Sequence, residues 1–182
     1  LQRLIAHYQA IDHAAPYSAR RVACADTPAE ILAHAEDLGL VERIAHPLGE
    51  LLRVPEAQVP QLGYFRNNVL HRYISVSMIA TALRASGGAA PLAVVRGRTR
   101  WLSRLLKLEF MYRPGTTFDS LFDEYAGVME GLEVVAGQDG TLRAGERRGV
   151  LGFLGDLIRP YLPGHGPANR TPLGCAPFGD PL

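Results

Sequence analysis

The spacing of apolar residues along the chain predicts a mainly helical protein. A first clear helix is predicted for about residues 27–38, because Thr27 and Glu30 form a capping box and Pro28 occupies the first helical position. Gly39 is expected to end this helix. The residues of the helix that are expected to face a core are Ile31, Leu32, Ala35 and Leu38.

Four further helices are predicted by the same helical spacing. Their ranges are about 63–84, 100–112, 117–131 and 146–159. A glycine or a proline lies at the end of each range or just beyond it: Gly87, Pro114, Gly131 and Pro160. The range 63–84 is interpreted as one long helix with a broad apolar face.

Two short β-hairpins are predicted between the helices. Their strands are about 40–44 with 50–54 and 132–136 with 141–144. Asp139 and Gly140 are typical of a tight turn inside the second hairpin. Each hairpin follows a helix and a glycine, so the pattern indicates two winged-helix-like units. The predicted fold class is mainly α with two small β-hairpins (α+β).

The chain is expected to divide into a folded part and a tail. The folded part covers 1–162, with candidate sub-units at 25–62 and 63–162. The remaining residues, 163–182, are dense in proline and glycine, which block both helix and sheet, so this tail is expected to be disordered.

Composition narrows the classes of function. The 19 basic and 18 acidic residues nearly cancel, so a broad positive field for nucleic acid is not expected. No apolar stretch reaches the roughly 20 residues that span a bilayer, and membrane contact is therefore expected to be peripheral or through a part outside this sequence. Cys24 and Cys175 are interpreted as free thiols. Because the first residue is Leu1, we expect a truncated or processed chain.

One spacing resembles a catalytic pair. His7 and Asp12 have the His-x4-Asp offset in which an aspartate orients a histidine that acts as general base. Two residue types at a fixed offset are a weak signal, and the surrounding sequence has no apolar strand leading to a catalytic turn. The favoured interpretation is an N-terminal helix on which both side chains are solvated.

The densest polar cluster lies in the range of the long predicted helix. Arg66, Asn67 and Asn68 have the chemistry to bind phosphate at a helix N-terminus. The alternative, which is favoured, is structural: an asparagine caps the helix and Arg66 pairs with a neighbouring carboxylate. His71, which has apolar neighbours, is interpreted as a packed histidine rather than a base or metal ligand.

Charged residues also occur between 96 and 109. Four arginines surround Trp101 and are candidates for binding anionic lipid headgroups or nucleic acid, although a solvated surface is favoured: Arg96, Arg98, Arg100 and Arg104. Lys107 and Glu109 are two residues apart and do not share a helix face, so we do not interpret them as a catalytic pair. The residues therefore predict neither a complete active site nor a metal site.

Two segments carry a resemblance to a known family. Residues 54–71, with the Tyr64-Phe65-Arg66-Asn67-Asn68 run and His71, resemble part of the C-terminal region of bacterial membrane-bound and mitochondrial-type glycerol-3-phosphate acyltransferases. Residues 105–113 are similar to the family's stretch of lysine, Glu-Phe and an aromatic-Arg ending. The resemblance covers about residues 25–162.

The resemblance implies a helical accessory region that follows the catalytic domain. It implies that the full-length protein transfers an acyl group from acyl-CoA or acyl-carrier protein to glycerol 3-phosphate in phospholipid synthesis, without a further cofactor. It also implies contact with the upstream catalytic domain and with the cytoplasmic face of the cell membrane. Arg66, Asn67, Asn68 and His71 correspond to family-signature positions with an expected structural role, and no catalytic residue is carried over.

Two alternatives from other classes stay open at this point. The helix-hairpin units and the arginines permit a winged-helix regulator that binds DNA, although the small net charge is against it. A helical protein-interaction module is the second alternative, and a large exposed apolar patch would favour both this module and the accessory region over the DNA-binding regulator.

Overall fold

The computed structural model describes residues 1–18, 24–47 and 49–162. Contacts within the chain divide it into two compact units, Leu1–Arg72 and Tyr73–Leu182. The predicted tail lies outside the described residues. The predicted sub-units 25–62 and 63–162 stay a prediction.

The first unit combines helices with one hairpin. Its described elements are α1 (Gln2–Ala14), α2 (Pro28–Asp37), β1 (Glu42–His46), β2 (Gly49–Arg53), a 3-10 helix (Glu56–Gln58) and α3 (Val59–Leu70). Strands β1 and β2 are antiparallel. The Arg43 guanidinium connects the hairpin to α2, because it lies 2.6 Å from the Glu36 carboxylate of α2 and 2.8 Å from the Glu50 carboxylate of β2.

Local sequence signals define both ends of α2. The Thr27 hydroxyl accepts from the Glu30 backbone N–H, and the Glu30 carboxylate accepts from the Thr27 backbone N–H, which confirms the capping box. At the other end Gly39 has φ +65, and the Leu40 N–H donates to the Ala35 carbonyl. This is a Schellman ending, in which glycine adopts the left-handed backbone at little cost. One expectation is wrong: Leu38, at the helix end, is 56% exposed.

The second unit contains the larger sheet. Its described elements are α4 (Ile74–Arg84), β3 (Ala89–Pro91), α5 (Leu92–Leu105), α6 (Phe118–Gly131), β4 (Val135–Gln138), β5 (Thr141–Ala144), α7 (Arg148–Asp156) and a 3-10 helix (Arg159–Tyr161). The strands form an antiparallel sheet in the order β3-β5-β4. The succession helix, strand, helix, helix, hairpin is that of a winged helix. The mainly helical α+β prediction is therefore confirmed, with β3 as a strand that it did not include.

Helix α4 is the centre of the second unit. Eight of its residues are buried: Ile74, Val76, Ser77, Met78, Ile79, Ala80, Ala82 and Leu83. It packs against α5, α6 and α7. The Thr81 hydroxyl, in the helix, lies 3.1 Å from the Gly155 carbonyl of α7, so the two helices approach closely. This burial explains why the segment is apolar on most of its surface.

Two predicted helices have different limits in the structure. The range 63–84 is not one helix, because α3 ends at Leu70 and α4 begins at Ile74. Arg72, in the break, forms an ion pair with Asp12 of α1, a contact that no local apolar pattern contains. The predicted helix 100–112 is also wrong, because the observed helix α5 covers Leu92–Leu105. The first half of α5 was missed because it includes Val94, Val95 and Gly97, which are poor helix formers.

Candidate functional site

The family-signature residues lie on α3, near its C-terminal end. Arg66 donates from its guanidinium to the Asn67 side-chain oxygen, at 3.1 and 3.3 Å. The helix begins at Val59, so Arg66 lies roughly 10 Å along the axis from the N-terminal N–H groups. The structure thus corrects two expectations. Neither asparagine caps this helix, and Arg66 is not placed to bind an anion at the helix N-terminus. Asn68 is exposed and His71 is half-buried.

Helix α3 presents an apolar surface beside these polar residues. Tyr64 is 67% exposed, Phe65 50% and Val69 40%, and the two aromatic rings contact edge to face at 5.9 Å. Leu70 is the one buried residue of the helix. A 12-residue helix is marginal in water unless it packs against something. We call Tyr64, Phe65, Arg66 and Val69 the α3 surface.

His7 and Asp12 do not have the surroundings of a catalytic pair. Five residues apart on α1, they lie about 140° apart around the helix. Asp12 is 7% exposed rather than solvated, and both of its carboxylate oxygens accept from the Arg72 guanidinium. The prediction that Asp12 is solvated is wrong. Its carboxylate holds α1 to the residues that follow α3, because a buried charge requires a partner.

Two of the four arginines of α5 are neutralised by carboxylates of α6. The Arg96 guanidinium binds Asp119 and Asp123, and its hydrogen bond to Asp123 is the main cause that raises the pKa of Arg96. Arg100 also binds Asp119, at 2.6 Å. The Arg98 guanidinium donates to the Ala85 carbonyl at 2.8 Å. Arg96 and Arg100 are therefore held by ion pairs to α6, whereas Arg98 is exposed, as the favoured interpretation of a solvated surface expects.

Arg104 and Lys107 differ from the other cations nearby. Both are exposed, and within the described ranges neither has a carboxylate within ion-pairing distance. Glu109 is exposed in the same turn, after the end of α5. Four exposed apolar side chains accompany these cations, and we call them the exposed apolar segment: Trp101 at 61%, Leu105 at 40%, Leu108 at 95% and Met111 at 65%.

The stretch after α5 is anchored by its last two residues. The Tyr112 hydroxyl donates to the Ser103 carbonyl at 3.2 Å, and burial raises the pKa of Tyr112 to about 12. The Arg113 guanidinium forms two hydrogen bonds with the Glu124 carboxylate of α6, which raise the pKa of Arg113. The aromatic-Arg ending of the stretch 105–113 thus has a structural explanation.

A cavity of about 250 Å³ lies between α4, α5 and α6. Its apolar lining consists of Met78, Ile79, Tyr112, Phe118, Leu121 and Phe122. Arg104 and Lys107 also line it. The cavity combines an apolar interior with two cations that have no carboxylate partner in the described part of the chain.

The described residues contain neither a metal-ligand cluster nor a membrane-spanning helix. Over residues 1–18, 24–47 and 49–162, no three His, Cys, Asp or Glu residues come together as metal ligands. None of the helices described there is long and apolar enough to cross a bilayer.

The fold and these residues define a mainly helical α+β region whose polar clusters mostly serve its own packing. The family model for the glycerol-3-phosphate acyltransferase C-terminal region matches residues 1–165, and the chain belongs to this family. The resemblance noted in residues 54–71 and 105–113 is thereby confirmed.

Individual relatives match over shorter segments. A protein named glycerol-3-phosphate acyltransferase from Xylella fastidiosa (strain M12) is 38% identical over 81 residues, which is 44% of this chain and 9% of that protein. One from Xanthomonas axonopodis pv. citri is 39% identical over 85 residues, covering 46% and 10%. One from Histophilus somni is 32% identical over 111 residues, covering 60% and 13%. The matched segment thus spans about a tenth of these relatives. No solved structure matches significantly.

Proposed function

We propose that this chain is the C-terminal accessory region of a glycerol-3-phosphate 1-O-acyltransferase. The full-length protein would transfer an acyl group from acyl-CoA or acyl-carrier protein to sn-glycerol 3-phosphate in phospholipid biosynthesis, without a further cofactor. The family match over residues 1–165 carries the proposal. The Asp12–Arg72 ion pair supports the accessory role, because it gives the one His-x4-Asp spacing a structural explanation.

The test is an acyl-transfer assay on the full-length protein and on this chain. We expect transfer to glycerol 3-phosphate by the full-length protein and none by residues 1–182. Substituting His7→Ala in the full-length protein is expected to leave kcat unchanged. Activity of the isolated chain, or loss of kcat in H7A at unchanged stability, would contradict the accessory role.

The partner proposed for the α3 surface is the catalytic domain of the same protein. A helix with two exposed aromatic rings and one buried residue gains stability when another surface covers it. In the full-length protein, Phe65→Ser should therefore lower both acyl-transfer activity and Tm. Leu38→Ser is the matched control, because Leu38, at the C-terminal end of α2, is exposed to a similar extent. Equal behaviour of the two variants would refute this partner.

Peripheral contact with the cytoplasmic face of the cell membrane is proposed for the exposed apolar segment. Trp, Leu and Met beside unpaired cations suit the interface of an anionic bilayer. Burial of one leucine contributes about 1.5–3 kcal/mol, so Leu108→Asp should weaken vesicle binding at least tenfold. Sedimentation with phosphatidylglycerol vesicles measures this, with Leu38→Asp as control. Equal pelleting of both variants would exclude this surface.

The DNA-binding alternative is disfavoured by the charge of α6. This helix stands third in the winged-helix order and carries Asp119, Asp123, Glu124 and Glu130. Three of these carboxylates pair with Arg96, Arg100 and Arg113, so those arginines are already engaged and less available to the phosphate backbone, which contributes most of the affinity in nucleic-acid binding. No nucleic-acid partner is proposed. The interaction-module alternative is retained only in the form of contact between the α3 surface and the catalytic domain.

A further inference from the structure

Four of the five hydroxyl groups that line the cavity of the second unit donate hydrogen bonds within the protein, and Ser75 carries the fifth. The Thr99 hydroxyl donates to the Val95 carbonyl at 2.8 Å, and the Ser103 hydroxyl donates to the Arg100 carbonyl at 2.9 Å. The Thr116 hydroxyl likewise donates to the Arg113 carbonyl at 2.6 Å. With these donors used, the interior has little to offer a polar ligand, and an apolar group gains most from entering it.

The charge of the cavity has one sign. Arg104 and Lys107 are the charged residues of its lining, and no carboxylate lines it. Nearby Arg96 and Arg100 do have carboxylate partners, on α6. An anion placed between Arg104 and Lys107 therefore meets two positive charges without first displacing an ion pair.

The size of the cavity selects among ligands of this type. Sites for drug-sized molecules measure roughly 300–1,000 Å³. At about 250 Å³ this cavity is smaller, which suits one hydrocarbon chain rather than the two chains of a bilayer phospholipid.

We propose that the cavity binds a single-chain anionic amphiphile from solution. The hydrocarbon chain contacts Met78, Leu121 and Phe122, and the carboxylate or phosphate head lies between Arg104 and Lys107. This site is a property of the second unit, and it does not depend on the acyltransferase assignment.

Isothermal titration of the 182-residue chain with decanoate, below its micelle concentration, tests the proposal. We expect saturable 1:1 binding that weakens as ionic strength rises. Decanol tests the chain without the charge, and decyltrimethylammonium tests the opposite charge. Decyltrimethylammonium binding as tight as decanoate binding would overturn the proposal.

Two sets of variants separate the head from the chain. Arg104→Gln with Lys107→Gln should weaken decanoate binding about tenfold, equivalent to ~1.4 kcal/mol, and leave decanol binding nearly unchanged. Arg143→Gln with Arg148→Gln removes the same charge from exposed residues outside the cavity and should have no effect. Equal losses in both double variants would mean that only net charge matters, which overturns the site.

A variant that fills the cavity with a larger side chain provides a second test of binding. Ser103→Phe should abolish binding of both decanoate and decanol, with the helical circular dichroism signal retained. Undiminished binding would show adsorption elsewhere on the surface. The charge variants keep the proposal testable if Ser103→Phe fails to fold.

Vesicles distinguish this site from the proposed membrane contact. Leu108→Ser, which removes the apolar side chain without adding charge beside Lys107, should weaken vesicle binding but leave decanoate binding intact, and Ser103→Phe should do the reverse. Pelleting with phosphatidylglycerol vesicles that requires Arg104 and Lys107, in a chain that does not bind decanoate, would mean that these cations serve a bilayer surface. That result would overturn the cavity proposal and support the docking proposal.

Discussion

Breaking the ion pair between Asp12 and Arg72 should destabilise the first unit strongly. Asp12 is 7% exposed and Arg72 23%, and the guanidinium donates to both carboxylate oxygens. Removing one partner of a buried pair costs about 3–5 kcal/mol, because the remaining charge loses its counter-ion in a site with little water. Since water reaches part of Arg72, we expect the lower end, about 3 kcal/mol, for Arg72→Met.

A double-mutant cycle measures the interaction itself. Asp12→Asn keeps the shape of the side chain and should cost less than Arg72→Met, because the amide oxygen still accepts one hydrogen bond. The double variant should be less destabilised than the sum of the single variants, by about 1–3 kcal/mol. His7→Ala, on the same helix, is the control and should stay within about 0.5 kcal/mol of wild type.

Urea unfolding followed by far-UV circular dichroism reports the helices of both units, and Trp101 fluorescence reports the second unit. Single variants that each cost less than about 0.5 kcal/mol, or costs that simply add, would refute the structural role of Asp12. In the full-length protein, a catalytic Asp12 would instead lose kcat in D12N at unchanged stability. The structural role of Asp12 therefore predicts a lower free energy of unfolding in D12N, whereas a catalytic role predicts a lower kcat at unchanged stability.

Three further predictions concern the fold. A Cβ at Gly145 would lie 2.2 Å from the Glu133 backbone carbonyl oxygen, so Gly145→Ala should cost about 2–3 kcal/mol of unfolding free energy. Gly127→Ala, on α6 with nothing within 4 Å, should instead stabilise the protein by up to about 1 kcal/mol. Changes of the same sign for the two variants in urea unfolding would contradict this. Because burial raises the pKa of Tyr112 to about 12, the folded state favours the protonated phenol, and stability should fall between about pH 10 and 12. Because solvent reaches part of the phenol, the loss relative to Tyr112→Phe should be about 1 kcal/mol at about pH 11.5, and parallel pH profiles of the two proteins would refute it. Thr27→Ala should cost about 1 kcal/mol in unfolding free energy through loss of the α2 cap, and an unchanged midpoint would argue against the capping box.

Short-range signals predicted much of the secondary structure. The cap at Thr27 and the Asp139-Gly140 turn appear in the structure as expected. Each depends on residues within a few positions of one another, so the chain itself brings the interacting groups together. The same holds for the identification of the family, which relied on runs of consecutive residues such as Tyr64 to Asn68.

The sequence by itself therefore determined the element types, the mainly helical class and the family. Only the tertiary structure decided the break between α3 and α4, the strand β3, and the partners of the charged residues. Arg72 is 60 residues from Asp12, and Arg96 is 27 from Asp123. A charged side chain has similar local surroundings whether it ends in water or in an ion pair. What distinguishes the two outcomes is the packing that brings distant segments together and removes water from between them.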